Sequence, residues 1–286
     1  MIAVTGASGA LGGRVAALLG ERGVPQRLVV RDASRAPEIA GAEVVAGASY
    51  ADGESMRRAF DGASVVLLVS AHEEAERLAL HHSAVDAAVA AGVERIVYTS
   101  FCGRGHETAF TFGRDHANTE DHIKATAPAW TFLRDNIYMD FVPFFAGEDG
   151  VIRGPAGDGR VAAVARDDIA AAAAAVLTGD EHAGKAYEMT GPEAFTLAEA
   201  AERVAAAAGR PVSYLAETLE EARASRAPSG APAWEIEGWV TTYVAIAEGE
   251  LEHVSGDIEL LTGRTPISLD EFLRDNPDSY AHLRAG

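Results

Sequence analysis

The chain has 286 residues, with 43 acidic against 24 basic side chains and a formal net charge of −19. That charge excludes nucleic acid, which needs a basic face, and an anionic membrane surface. Cys102 is the only cysteine, no apolar run approaches the roughly 20 residues of a membrane helix, and the first strand opens at Ile2, so a cytoplasmic protein without a leader is expected.

Residues 2–4 form a short apolar run that leads into Thr5-Gly6-Ala7-Ser8-Gly9-Ala10-Leu11-Gly12 and then a helical pattern over 13–22. Glycines spaced this way at a strand-to-helix turn suit a dinucleotide pyrophosphate. Gly6 permits the tight turn, Gly9 lets the backbone approach the phosphates, and Gly12 lets the helix pack closely. The free amides and positive dipole end of the helix face the anion. Gly6, Ala7, Ser8, Gly9, Ala10 and Leu11 are therefore cofactor-binding candidates. Strand-like runs follow at 27–30, 43–46, 64–69, 95–98 and 130–133, separated by helical runs over 54–60, 73–91 and 114–126. Apolar strands alternating with helices predict an α/β fold built on a doubly wound parallel Rossmann sheet.

After Asn136 the rhythm changes. Residues 149–160 read as a loop or hairpin, 167–177 as an alanine-rich helix and 186–189 as a further strand. Thr196 to Glu199 and Ser268 to Glu271 match capping boxes, and residues 228–232 read as a loop or hinge. The expected organisation is a nucleotide-binding domain over 1–150, its sheet completed by 161–190, and a smaller, mostly helical lobe over 191–286.

The end of the second strand selects the cofactor, because an acid there holds the ribose hydroxyls of NAD and an Arg accommodates the 2′-phosphate of NADP. Arg31 stands at that position with Arg35 nearby, which favours NADP(H) over NAD(H); the adjacent Asp32 is the competing signal. In an open α/β sheet the ligand lies beyond the carboxyl ends of the strands. Ser49 and Tyr50 are thus expected at the adenine, Val69, Ser70 and Ala71 at the ribose and pyrophosphate, and Thr99, Ser100 and Phe101 at the nicotinamide.

The glycine spacing with its preceding Thr5 resembles the extended and atypical branches of the short-chain dehydrogenases/reductases. Residues 30–35, 97–101, 133–138, 186–194 and 261–266 resemble segments of the NmrA-like family. Some members of that family transfer hydride from NADPH to quinones, and others bind NAD(P) as redox sensors. The resemblance implies the cofactor and leaves turnover open. It also places His116 and Glu120 where short-chain reductases usually carry a Tyr and a Lys four residues apart, a substitution shared with quinone-reducing members.

Hydride addition to a simple ketone builds a strongly basic alkoxide that needs a good acid, whereas a quinone yields a phenolate, whose acid has a pKa of about 10. Loss of the Tyr–Lys pair therefore disfavours ketones and is tolerable for quinones. His116 is a candidate acid whose cationic form a carboxylate at Glu120 would favour; Tyr138 is the second candidate. An ordinary surface ion pair and a packing aromatic are the alternatives for the same residues. The leading reading is an NADPH-dependent reductase of quinones or similar conjugated electrophiles; the rival is a non-catalytic NADP(H) sensor. A small-molecule substrate is the expected partner, and a helix over 236–248, with Trp239 and Tyr243, would form either the roof of its pocket or a homodimer contact. No metal site is expected: His81 and His82 diverge as neighbours on a solvated helix face, and Cys102 reads as inert.

Overall fold

The computed structural model describes residues 1–284. The chain opens with β1 (Ile2–Thr5), α1 (Ala10–Glu21), β2 (Gln26–Val30), β3 (Glu43–Ala46), α2 (Gly53–Phe60), β4 (Val65–Leu68), α3 (Arg77–Ala90), β5 (Arg95–Phe101), α4 (Thr111–Thr126) and β6 (Trp130–Asp135). Two short strands follow, β7 (Val151–Gly154) and β8 (Arg160–Val161), before α5 (Arg166–Thr178) and β9 (Lys185–Met189). The remainder is β10 (Phe195–Thr196), α6 (Leu197–Ala208), β11 (Ser213–Ala216), α7 (Leu219–Arg226), α8 (Ala233–Ala247), α9 (Asp257–Thr262) and α10 (Leu269–Asp275).

Seven parallel strands form the central sheet in the order β3-β2-β1-β4-β5-β6-β9. Helices cover both faces: α1 and α5 pack on one side, with α2, α3 and α4 on the other. Val66, Leu67, Ile96, Val97, Phe132 and Leu133 are fully buried, as doubly covered strands require. Strand order reverses between β1 and β4, which opens a crevice at their carboxyl ends. The expected doubly wound sheet is the observed one.

The lobe is less contiguous in sequence than expected. Ile137, Met139, Val142, Ala146 and Ile152 already pack in its core with Phe195, Leu197 and Tyr243. Ile258 of α9 returns to the sheet's α1–α5 layer. The segment read as a loop or hairpin instead supplies β7, which pairs in parallel with the distant β11, and β8, which pairs with β10. Capping boxes start α6 and α10 at Thr196 and Ser268, and a third, at Thr218, starts α7. Among the described residues, no helix is long and apolar enough to cross a membrane.

The first turn is closely packed. Gly6 adopts φ +60°, a region open chiefly to glycine. A Cβ on Gly12 would overlap the Gly6 carbonyl oxygen. Gly12→Ala should therefore lower unfolding stability by about 1–3 kcal/mol in urea titrations. Gly256→Ala, where a Cβ meets nothing within 4 Å, should stay within about 0.5 kcal/mol of wild type.

Candidate active site

A single cleft of about 1210 Å³ runs along the carboxyl ends of the strands, from the glycine turn to the underside of α8. Drug-sized ligands occupy roughly 300–1,000 Å³, so this space exceeds what one small ligand needs. One end is bordered by Gly6, Ser8, Gly9, Ala10 and Leu11. The Gly9 N-cap of α1 supplies no side-chain acceptor and its first turn carries no acidic residue, which leaves the leading amides for an anion. This cradle fits a dinucleotide pyrophosphate.

Arg31 and Arg35 border the same end. Among the described residues neither has a carboxylate within ion-pairing distance, whereas Arg77, Arg153, Arg166 and Arg226 of the same cleft each have one. Asp32 is committed elsewhere: its Oδ1 accepts from the Ser34 amide at 2.9 Å and the Ser34 hydroxyl at 2.8 Å, capping the turn over Ala33–Arg35. That bonding holds its carboxyl below the usual aspartate range. The two cations free of ion pairs thus face the cleft while the competing acid does not.

Ser49, Tyr50, Val69, Ser70 and Ala71 border the cleft, as do Ser100 and Phe101. The Thr5 hydroxyl ties this wall together, donating to the Leu67 carbonyl at 3.0 Å and accepting from the Val69 amide at 2.9 Å. Tyr50 donates to the Val69 carbonyl at 2.7 Å, and burial pushes its phenol upward. Two expected contacts lie behind the wall. Ala7 is 1% exposed and packs in the core; Thr99, equally buried, accepts from the Ser70 amide at 2.8 Å and so positions the loop.

The expected His116–Glu120 pair is not formed. Glu120 accepts from Ser100 at 2.7 Å and from Arg134 at 2.8 and 2.7 Å. Burial raises its pKa, but Arg134 and Ser100 outweigh that and hold the carboxyl below its ordinary range. His116 instead joins a buried chain that begins at Arg77. A guanidinium only donates, so Arg77 Nη2, at 2.8 Å, makes His116 Nε2 an acceptor. Nδ1 must then carry the proton and donate to the Tyr98 hydroxyl at 2.9 Å. At the far end the Ala71 amide donates to His81 Nε2 at 2.9 Å, so His81 donates from Nδ1 to Thr119 Oγ1 at 2.9 Å.

Both imidazoles are thereby held neutral. Burial first, then the Arg77 charge and His81, keep His116 well below its ordinary pKa; burial, Arg77 and His82 bring His81 to about 3. His116 still borders the cleft, yet both its ring nitrogens are occupied, so the cationic acid expected from its spacing with Glu120 is replaced by a neutral wall group. His81 likewise departs from the solvated face expected of it, being fully buried. Cys102 is buried, its thiol donates to the Arg134 carbonyl at 2.8 Å, and burial raises its pKa.

The other end of the cleft is aromatic. Phe141, Phe144, Phe145, Trp239 and Tyr243 border it, so α8 forms its roof. Tyr138 also lines the cleft, its hydroxyl donating to Asp135 Oδ2 at 2.8 Å. Arg166 lies 4.5 Å over the Tyr138 ring and pairs with Asp140 at 2.7 Å. Arg77, Asp135 and the phenylalanines at 141, 144 and 145 are the cleft features that local sequence patterns left unassigned, whereas the roof formed by Trp239 and Tyr243 is one of the two roles expected of their helix.

Residues 1–241 match the model of the NmrA-like family, and the chain belongs to that family. It is 30% identical over 285 residues to an NAD(P)H azoreductase of Xenophilus azovorans, covering 98% of this chain and 99% of that one. An NADPH-dependent quinone oxidoreductase of Escherichia coli, solved with NADPH, superposes with a TM-score of 0.87 at 31% identity, over 96% of this chain and 99% of that one. A Citrobacter sp. triphenylmethane reductase complexed with NADP(H) does so with a TM-score of 0.85 at 32% identity, over the same shares.

The neutral histidines carry a pH signature. Once unfolded, His81 regains a pKa near 6.5, so its contribution to stability is complete above that pH and is lost as pH falls towards 3. The stability difference between wild type and His81→Gln should accordingly shrink by about 1.4 kcal/mol per pH unit on acidification below pH 6.5, read from denaturant titrations.

Proposed function

We propose that this protein is an NADPH-dependent oxidoreductase that reduces quinones or similar planar, conjugated electrophiles. The observation that carries the reading is the continuity of the cleft: a glycine cradle and two arginines free of ion pairs among the described residues at one end, an aromatic chamber at the other, and Tyr138 in the lining of the same cleft. When bound, NADPH supplies a hydride from its nicotinamide. The amides of Gly9 to Leu11 would hold its pyrophosphate, and Arg31 with Arg35 its 2′-phosphate. Ser49 and Tyr50 would flank the adenine, with Val69, Ser70 and Ala71 along the ribose and pyrophosphate. Ser100 and Phe101 would border the nicotinamide, and Thr99 supports them by holding the Ser70 amide.

Phe141, Phe144, Phe145, Trp239 and Tyr243 offer flat apolar faces at the substrate end, and Phe141 and Phe144 remain exposed there to meet a ligand. Such a chamber suits an aromatic or quinonoid ring better than a polar sugar. Tyr138 is the proton donor in this reading, its hydroxyl standing on the cleft wall. His116 and Glu120 serve as positioning residues: His116 orders Tyr98 and Arg77, and Glu120 fixes Ser100 beside the nicotinamide position.

The reading has support from reductases of similar sequence and structure that accept quinones, azo compounds or triphenylmethane dyes. Purified protein should oxidise NADPH in the presence of a panel of quinones, and faster than NADH. Arg31→Ala with Arg35→Ala should raise KM for NADPH about tenfold or more and leave that for NADH nearly unchanged. NADPH binding without turnover of any quinone, azo dye or triphenylmethane dye would contradict the reductase and favour a sensor.

A further inference from the structure

Asp135 ends β6 on the floor of the cleft, and it is 2% exposed. Its Oδ2 accepts the Tyr138 hydroxyl at 2.8 Å, while Oδ1 is buried without a hydrogen-bond partner. Among the described residues no cation pairs with it. Arg134, its neighbour in the chain, is engaged by Glu120, and Arg166 is engaged by Asp140. On the flanking strands its register partners are Phe101 and Met189. The titratable and charged groups around it are Tyr138, Arg166 beyond the Tyr138 ring, Cys102 behind β6, and Arg77 farther off.

An ionised carboxylate in that setting would be a buried charge holding one hydrogen bond, which is costly enough that the group keeps its proton instead. Burial pushes its pKa up to about 8, against smaller opposing effects of Tyr138 and Arg166. A protonated carboxyl is also a donor, and here it has a hydroxyl to donate to. With the acid protonated the same 2.8 Å contact can run the other way, from Asp135 Oδ2–H to Tyr138 Oη, which frees the phenolic proton for another acceptor.

We propose that Asp135, carrying a proton in the resting protein, is the proton reservoir of this cleft and delivers that proton through the Tyr138 hydroxyl to the substrate atom that gains negative charge on reduction. The inference rests on the reductase reading above. Tyr138 breaks its O–H bond to protonate the substrate oxygen or nitrogen, and takes the Asp135 proton in the same step, so its phenol is restored. Asp135 is left as a carboxylate facing Arg166. The substrate, having received the hydride, has then gained two electrons and two hydrogens overall. Asp135 recovers its proton from solvent between turnovers. This relay removes the need for a phenol of lowered pKa, which Tyr138 lacks, since burial and Asp135 both raise it.

The test uses the whole protein and two near-isosteric variants, Asp135→Asn and Tyr138→Phe. The first readout needs no cofactor. The infrared spectrum at pH 7 should contain a protonated carboxyl stretch that fades as pH passes about 8 and is missing from Asp135→Asn. Because the folded state holds a proton that an unfolded aspartate releases near pH 4, wild-type stability should carry a component that falls from about pH 4 to 8, and Asp135→Asn should lack it. In turnover, kcat should fall about tenfold per unit above pH 8 in wild type. Each variant should lose about 10²-fold or more and that pH limb, and the double variant should lose no more than either single one.

Absence of the infrared band at pH 7 would overturn the proposal while leaving the reductase reading standing. So would an Asp135→Asn variant with wild-type kcat and pH profile. Wild-type protein that turns over no acceptor would instead overturn the reductase reading, and the relay with it.

Discussion

The contact on which the cleft depends is the seating of α1 against the turn that follows β1. Gly12 lies so close to the Gly6 carbonyl that a methyl group has no place there. That approach brings the amino end of the helix level with the carboxyl ends of the strands, where the order of the sheet reverses between β1 and β4. A larger side chain would push the helix off the sheet and separate the amides from the crevice they line. Thr5 extends the same constraint sideways, its hydroxyl bonding both sides of the β4 terminus and meeting Tyr50 at 2.6 Å. The glycine turn and the loop over residues 69–71 are therefore tied to the same strand ends.

Electrostatics divide the cleft into regions. The protein is strongly acidic overall, yet its arginines at this site leave Arg31 and Arg35 free of carboxylate partners, at the end where a phosphate would be met. Farther in, burial governs protonation. Next to Arg77, the histidines lie below their ordinary pKa and stay neutral. Asp135, without a paired cation, lies above its own and also stays neutral. Low polarity thus removes charge from both kinds of group, and the acid alone keeps a transferable proton. One buried environment makes His116 a fixed wall and Asp135 a donor.

Much of the fold was legible because its signals are local. The glycine turn, the apolar strands and two capping boxes each lie within a few residues, and the structure has them all. The competition between Arg31 and Asp32 was legible as well, but not which way that carboxylate turns, since Ser34 decides it. The His116–Glu120 spacing suggested a partnership that long-range contacts override: Arg77 is 39 residues from His116, and Arg134 is 14 from Glu120. His81 looked like a surface residue because its helix is rich in small and polar side chains; Tyr98 and Thr119 bury it. Pairing of β7 with β11 spans some sixty residues and has no local signature. Asp135 sat in plain view within residues 133–138, but only its burial without a paired cation among the described residues makes it unusual, and that is a property of three dimensions.

The account is tested most directly by single-turnover oxidation of NADPH carrying deuterium at the nicotinamide C4, mixed with the protein and a water-soluble benzoquinone. Direct hydride transfer within the cleft predicts that deuterium on one face of the ring slows the reaction several-fold, while deuterium on the other face has almost no effect. Equal rates for the two labelled forms and unlabelled NADPH, or tight binding with no oxidation at all, would contradict it.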